Sequence, residues 1–309
     1  MSILNAMPGA VAQGLIWGLM AIGVYISYKI LDIADLTVDG SLCTGGCVCA
    51  FMLMAEQPIW LCILAAFAAG ALAGVVTGLL HTLLGIPSIL AGILTQLSLY
   101  SVNLAILDHK ASQALFPYLD QLLVDSSDDI KTIIVGTGVV AVVIIGLWLF
   151  FYTEIGLTLK STGDNPDMSR AQGVNVNRNK VIGLAISNGL VALSGCFLTQ
   201  YNNNVTINDG RGAIVIGLAA IFIGLSVSMK IKPNFVVSLI GVVFGSIVYF
   251  AIYTIVVQLK LMHTDYLKMM SALIVVLFLG VHNIKGKLFA GRTARKIAER
   301  TVGGGQPHA

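Results

Sequence analysis

The sequence predicts an all-α fold, a polytopic transmembrane helical bundle of about 8-10 spans with one broken or re-entrant segment. Three observations carry that prediction. Of the 309 residues, 57% are hydrophobic and 11% charged, whereas soluble domains carry about 25% charged residues. Mean hydropathy is +0.89. Eight apolar runs, at 8–28, 58–84, 86–107, 132–153, 181–200, 212–229, 234–257 and 269–284, are each long enough to cross hydrocarbon about 30 Å thick. The polar segments are too short to bury cores of their own, so a single transmembrane domain over 1–290 is expected, followed by a basic, Gly-rich cytoplasmic tail over 291–309.

The first run, Pro8 to Tyr28, has no basic region before it and no small-residue cleavage site after it, which predicts a retained span. A ninth apolar stretch, 40–56, is short and rich in Gly and Cys, and it follows KILDIADLTVD, Lys29 to Asp39. A carboxylate at membrane depth is costly unless it faces protein or water. Two readings follow: Asp35 and Asp39 line a cavity beside a broken segment, or Asp32, Asp35 and Asp39 sit in a cytoplasmic loop. Counting 40–56 as a crossing puts the N-terminus outside; a re-entrant hairpin puts it inside.

Small residues recur at four-residue spacing in Gly70/Gly74/Gly78, Gly14/Gly18 and Gly241/Gly245. Such rows let helices approach closely in lipid, within a bundle or across a dimer contact. On the span that opens at Gly85, Ser88, Gly92, Thr95, Gln96, Leu99 and Asn103 fall on one side at about 100° per residue. A polar stripe on an apolar helix faces the bundle or a water-filled path, so Ser88, Thr95, Gln96 and Asn103 are candidate path residues. Asn188 extends that set on the 181–200 span, and interhelical hydrogen bonding without a transport role is the alternative.

The longest polar interruption runs from Glu154 to Lys180. Within it Asp164 and Asn165 supply acceptors for free backbone amides, Pro166 fits a first helical turn, and Gly173 suits a helix end. The pattern predicts an amphipathic helix over roughly 165–172. Lys160, Arg170, Arg178 and Lys180 mark this loop, Lys230 and Lys232 a later turn, and Lys285 to Arg300 the tail. The span positions put all three on one side, which the positive-inside rule makes cytoplasmic. Spread among loops in this way, a net charge of +3 does not indicate nucleic-acid binding.

Several chemistries find no support in the chain. No G-x-x-x-x-G-K-[ST] loop is present to cradle phosphates, and no Gly-x-Ser-x-Gly nucleophile setting occurs. The five His lack metal-ligand spacing, and the five Cys fall in apolar stretches as packing residues. An enzyme, a cofactor and a metal site are therefore not expected.

At the central loop, GLTLKSTGDNPDMSRAQGVNVNRNKVIGLAIS resembles the cytoplasmic signature of bacterial ABC-importer permeases of the branched-chain amino acid and ribose type. Ile33 to Ser41, Gly85 to Ala91 and Gly210 to Pro233 resemble further segments of that family, and the first of these is similar to an amino-acid, aromatic included, subgroup. The resemblance implies that Gly163, Asp164, Asn165, Pro166, Arg170 and Gly173 form the coupling helix that docks into a separate ATP-binding subunit. It also implies an extracytoplasmic solute-binding protein, a homo- or heterodimer with a second permease, a small-molecule substrate, and a place among the lipids of the inner membrane. The rival reading is an ion-coupled carrier or channel that uses the Asp residues of the broken segment.

Overall fold

In the computed structural model the described residues are 3–126, 128–228 and 234–259, with Met269, Leu273, Val275 and Val276. They lie almost wholly in a unit over Met1–Met262; of a second unit, His263–Ala309, the four residues just named are described, and each is helical. The turn expected at Lys230 and Lys232, most of the expected span 269–284 and the tail 291–309 lie outside the described residues.

The described residues are helical nearly throughout. Helix α1, Ile3–Tyr25, continues as a π-helical turn over Ile26–Ile30. After a non-helical stretch come α2, Thr37–Met54, α3, Ile59–Thr82, and α4, Ser88–Ile106. Helix α5, Asp129–Tyr152, leads into the central polar loop, which folds as two helices, α6, Glu154–Asp164, and α7, Pro166–Ala171. Then follow α8, Val176–Asn202, α9, Ala213–Ser228, and α10, Phe235–Gln258. Strands β1, Ser112–Ala114, and β2, Asn204–Thr206, pair antiparallel.

Among the described residues seven helices are long and apolar enough to cross a membrane, and α9 is a shorter apolar one. Their burial sorts them. The apolar windows of α1, α2 and α8 are 83%, 72% and 78% buried, whereas those of α3, α4 and α5 are at most 28% buried. Helix α8 is therefore central, packed by α1, α2 and α3, and α3 and α5 present Leu, Ile and Val outward as a lipid-facing surface would.

The glycine rows work inside the chain. A Cβ at Gly70, Gly74 or Gly78 of α3 would strike Asn188, Leu184 or Val181 of α8. Gly14 and Gly18 of α1 take Ile247 and Val243 of α10, and Gly241 and Gly245 of α10 lie against Ser228 and Ala220 of α9. Small residues thus set helix spacing within one subunit, not across a dimer contact.

The two ends of the bundle are distinguishable. Gly9 lies beside the Asp129 carboxylate and the Tyr201 hydroxyl, and Tyr201 donates to Asp129 Oδ1 at 3.2 Å. At the opposite end the carbonyl of Ile30 touches Gly163 of α6. Helix α2 runs parallel to α8, with Ser41 at the level of Asn188 and Gly46 at the level of Thr199. It is a crossing, not a hairpin, so the start of α1 and the central loop lie at opposite ends.

Candidate coupling element and translocation path

The loop helix forms where the sequence places its signals. Asn165 Oδ1 accepts from the amide of Met168 at 3.0 Å, Pro166 opens α7, and Gly173 leaves the helix with φ +81°, a conformation that favours glycine. The helix is six residues long, Pro166–Ala171, and the preceding segment is not loop but the amphipathic α6. Asp164 is therefore the last residue of α6, and Asn165 alone supplies the side-chain cap of α7. Hydrophobic spacing in EIGLTLKSTGD carries that second helix, with Gly156, Leu159 and Thr162 on its buried face.

On α7, Asp167, Met168 and Arg170 are exposed, and Arg170 pairs with Asp167 at 3.3 Å. Met168 is an apolar tip 60% exposed that the sequence reading did not single out. The opposite face is anchored. The Ser169 hydroxyl donates to Asn165 O and contacts Ser161 Oγ at 3.3 Å, and the amide of Val174 returns to Ser169 O. Asn179 Nδ2 of α8 donates to Thr162 Oγ1 at 2.9 Å.

Helix α6 carries these contacts into the membrane domain. Gly163 sits where any side chain would meet the carbonyl of Ile30, and Leu31 and Leu159 converge on Gly183 of α8. Residues 31–36 are the non-helical link between α1 and α2, so the loop helices rest directly on the break that KILDIADLTVD predicts.

Deeper in the bundle the break is held by a buried polar network. Asn188, 12 residues into α8, donates from Nδ2 to Asp35 Oδ2 at 2.6 Å and accepts from the Ser41 hydroxyl at 2.7 Å. Asp35 Oδ1 accepts from the amide of Thr37 at 2.9 Å, and Thr37 meets Thr77 of α3 at 2.8 Å. Asp35 is 2% exposed and Asn188 fully buried. The structure thus brings two predicted path residues, Asp35 and Asn188, together in a sealed core. A buried carboxylate so fully engaged is affordable where an unpaired one is not.

Asp39 belongs to a different contact. Its two oxygens accept from the amides of Gly212 and Ile214 at 2.9 and 3.0 Å, capping the start of α9. After α8 ends, the chain runs back along α2, with Val205 beside Gly46 and Gly210 against the carbonyl of Asp39. Helix α9 therefore starts inside the bundle, and the domain has a re-entrant link over 203–212 besides the break expected within Lys29 to Asp39. Length and hydropathy predict a crossing over 212–229, but α9 is 16 residues long, short for a full crossing, and the polar run YNNNVTINDGRG before it is the signal for the link.

The α4 stripe faces inward as its periodicity predicts. Gly92 lies against the amide of Leu36, and Gly40 of α2 packs on Gln96 and Leu99. Thr95 is buried and its hydroxyl returns to Ala91 O; Ser88 at the start of the helix and Gln96 are half-buried. Asn103 is buried, and its Oδ1 has no hydrogen-bond partner among the described residues.

The sequence pattern described as "Branched-chain amino acid transport system / permease component" matches residues 7–279. The chain is 36% identical over 282 residues to a tyrosine transport system permease protein of Clostridioides difficile, covering 91% of this chain and 92% of the relative. It is 30% identical over 285 residues to an uncharacterized protein of Rickettsia prowazekii, covering 91% and 99%. With a ribose import permease protein of Haemophilus influenzae it shares 26% identity over 234 residues, covering 72% and 69%.

Proposed function

The chain belongs to the family of permease components of branched-chain amino acid transport systems, multi-pass proteins of the bacterial inner membrane, and from that premise we propose that it is the membrane-spanning subunit of an ATP-driven importer of an amino acid. Energy comes from a separate ATP-binding subunit. Solute comes from an extracytoplasmic solute-binding protein, and a second permease copy or paralogue completes the pathway. The likeness to a tyrosine transport permease supports an amino acid over a sugar.

One observation carries the coupling role: an exposed, capped helix, α7, is tied through α6 to the carbonyl of Ile30 at the edge of the broken segment. Asn165, Pro166 and Gly173 give α7 fixed ends, while Asp167, Met168 and Arg170 form the surface that meets the ATPase. Gly163 supplies the close seat on the membrane domain. Because interiors are packed densely, a push on α7 moves α6 and the start of the break together. That movement biases the bundle between inward-open and outward-open arrangements, and the Asp35–Asn188 contact is the point where the break must reorganise. Along the path, Asp39, Ser88, Thr95, Gln96 and Asn103 supply polar groups on the inner faces of α2 and α4.

The test is reconstitution of the chain in liposomes with its ATPase and binding protein. ATP-dependent uptake of a labelled amino acid is expected. Arg170→Glu or Ala171→Pro should leave ATP hydrolysis and abolish its coupling to uptake. Uptake by the purified chain alone, driven by an ion gradient, would overturn the proposal in favour of a carrier.

A further inference from the structure

Arg211 is held against α2 by its neighbours. Gly210 before it is pressed against the carbonyl of Asp39, and Gly212 after it adopts φ +86° with its amide on Asp39 Oδ2. The guanidinium then lies over the ring of Tyr100 of α4, 5.9 Å from the centroid. Tyr100 is six residues before the end of α4, so the pair sits about 9 Å inside that end.

The charge is left open at this depth. Among the described residues no carboxylate lies within ion-pair distance of Arg211; Asp39 is already committed to the amides of Gly212 and Ile214, and Asp209 accepts from the amide of Thr206. Both Arg211 and Tyr100 are exposed on the surface of the single chain. A guanidinium facing hydrocarbon here would be costly, so this face meets water or protein.

We infer that Arg211 and Tyr100 form a solute subsite that takes the α-carboxylate of a free amino acid on the guanidinium and its side chain against the tyrosine ring. The inference rests on the importer reading above and deepens it by placing the solute's carboxylate and side chain on two residues of this chain. A planar, permanently charged fork matches a carboxylate through two parallel hydrogen bonds. The ring beside it adds apolar surface and holds the guanidinium in place. A neutral sugar offers nothing that satisfies this cation, so the subsite selects against it.

A cysteine reporter reads the site without ATP. Leu97 lies one turn before Tyr100 and is exposed, so Leu97→Cys in the assembled transporter, in nanodiscs, can be labelled with a water-soluble maleimide. L-Tyrosine is expected to slow labelling at least threefold, and tyramine, which lacks the carboxylate, and D-ribose are not. Adding Arg211→Gln should remove the protection, and Arg211→Lys should restore part of it. In uptake, Arg211→Gln should raise KM or lower the rate at least tenfold while ATP hydrolysis stimulated by loaded binding protein persists. Equal protection by tyramine, protection set by anionic lipid content, or unchanged uptake by Arg211→Gln would overturn the subsite. Loss of ATP-driven uptake in the unsubstituted protein would instead overturn the importer reading, which separates the two failures.

Discussion

Asn188 donates from Nδ2 to Asp35 Oδ2 at 2.6 Å, joining the middle of α8 to the link before α2 across 153 residues of chain. The same amide accepts from Ser41, so one side chain ties α8 to the helix break and to the helix that follows it. Breaking an interhelical hydrogen bond in a membrane protein costs about 0.6 kcal/mol on average. Stranding a buried charged or polar partner costs more, about 1–3 kcal/mol.

These magnitudes rank two substitutions. Ser41→Ala leaves one neutral acceptor, Asn188 Oδ1, unpaired and keeps the Asp35 contact, so a loss at the low end, about 1 kcal/mol, is expected. Asn188→Leu strands Asp35 and Ser41 together, and about 1–3 kcal/mol is expected. Thermal unfolding in detergent gives the order directly. Equal losses in the two variants would show that Asn188 is not the hub.

Gly163 and Gly138 make a matched pair. A side chain at Gly163 must displace the carbonyl of Ile30, whereas Gly138 on the outer face of α5 has nothing within 4 Å. Overpacking at a tight contact costs about 1–3 kcal/mol. Gly163→Val should therefore unseat α6, lowering uptake and weakening ATPase stimulation, while Gly138→Val transports normally. Normal uptake in both would remove the seat from the coupling route.

The contacts at the two ends of the bundle predict sidedness. With the basic central loop cytoplasmic, the start of α1 beside Asp129 and Tyr201 lies outside. A cysteine placed at Asp128 should react with an impermeant reagent on intact cells, a cysteine at Gln172 only after permeabilisation, and a reporter fused at the N-terminus should read as external. An N-terminal reporter on the same side as Gln172 would mean that α2 does not cross.

Much of this architecture was legible because hydrocarbon imposes simple rules. Run length and hydropathy marked the described spans to within a few residues, and the Asn165, Pro166 and Gly173 signals marked α7. What was not legible depended on contacts. Helix α6 looked like loop because its polar face obscures a buried face made of only Gly156, Leu159 and Thr162. The polar run over 203–212 is visible in sequence but its return into the bundle is not, because Asp39, which accepts from the amide of Gly212, lies 173 positions away.

The sequence by itself determined that the chain is a membrane bundle, where its helices run, which loop is a capped knob and which family it belongs to, because composition, period and local capping are written along the chain. Only the tertiary structure decided that Asp35 meets Asn188, that Asp39 caps α9 and that Arg211 stands over Tyr100. Those pairings join residues as much as 175 positions apart. They follow from how glycine-spaced helices pack, which no local pattern encodes.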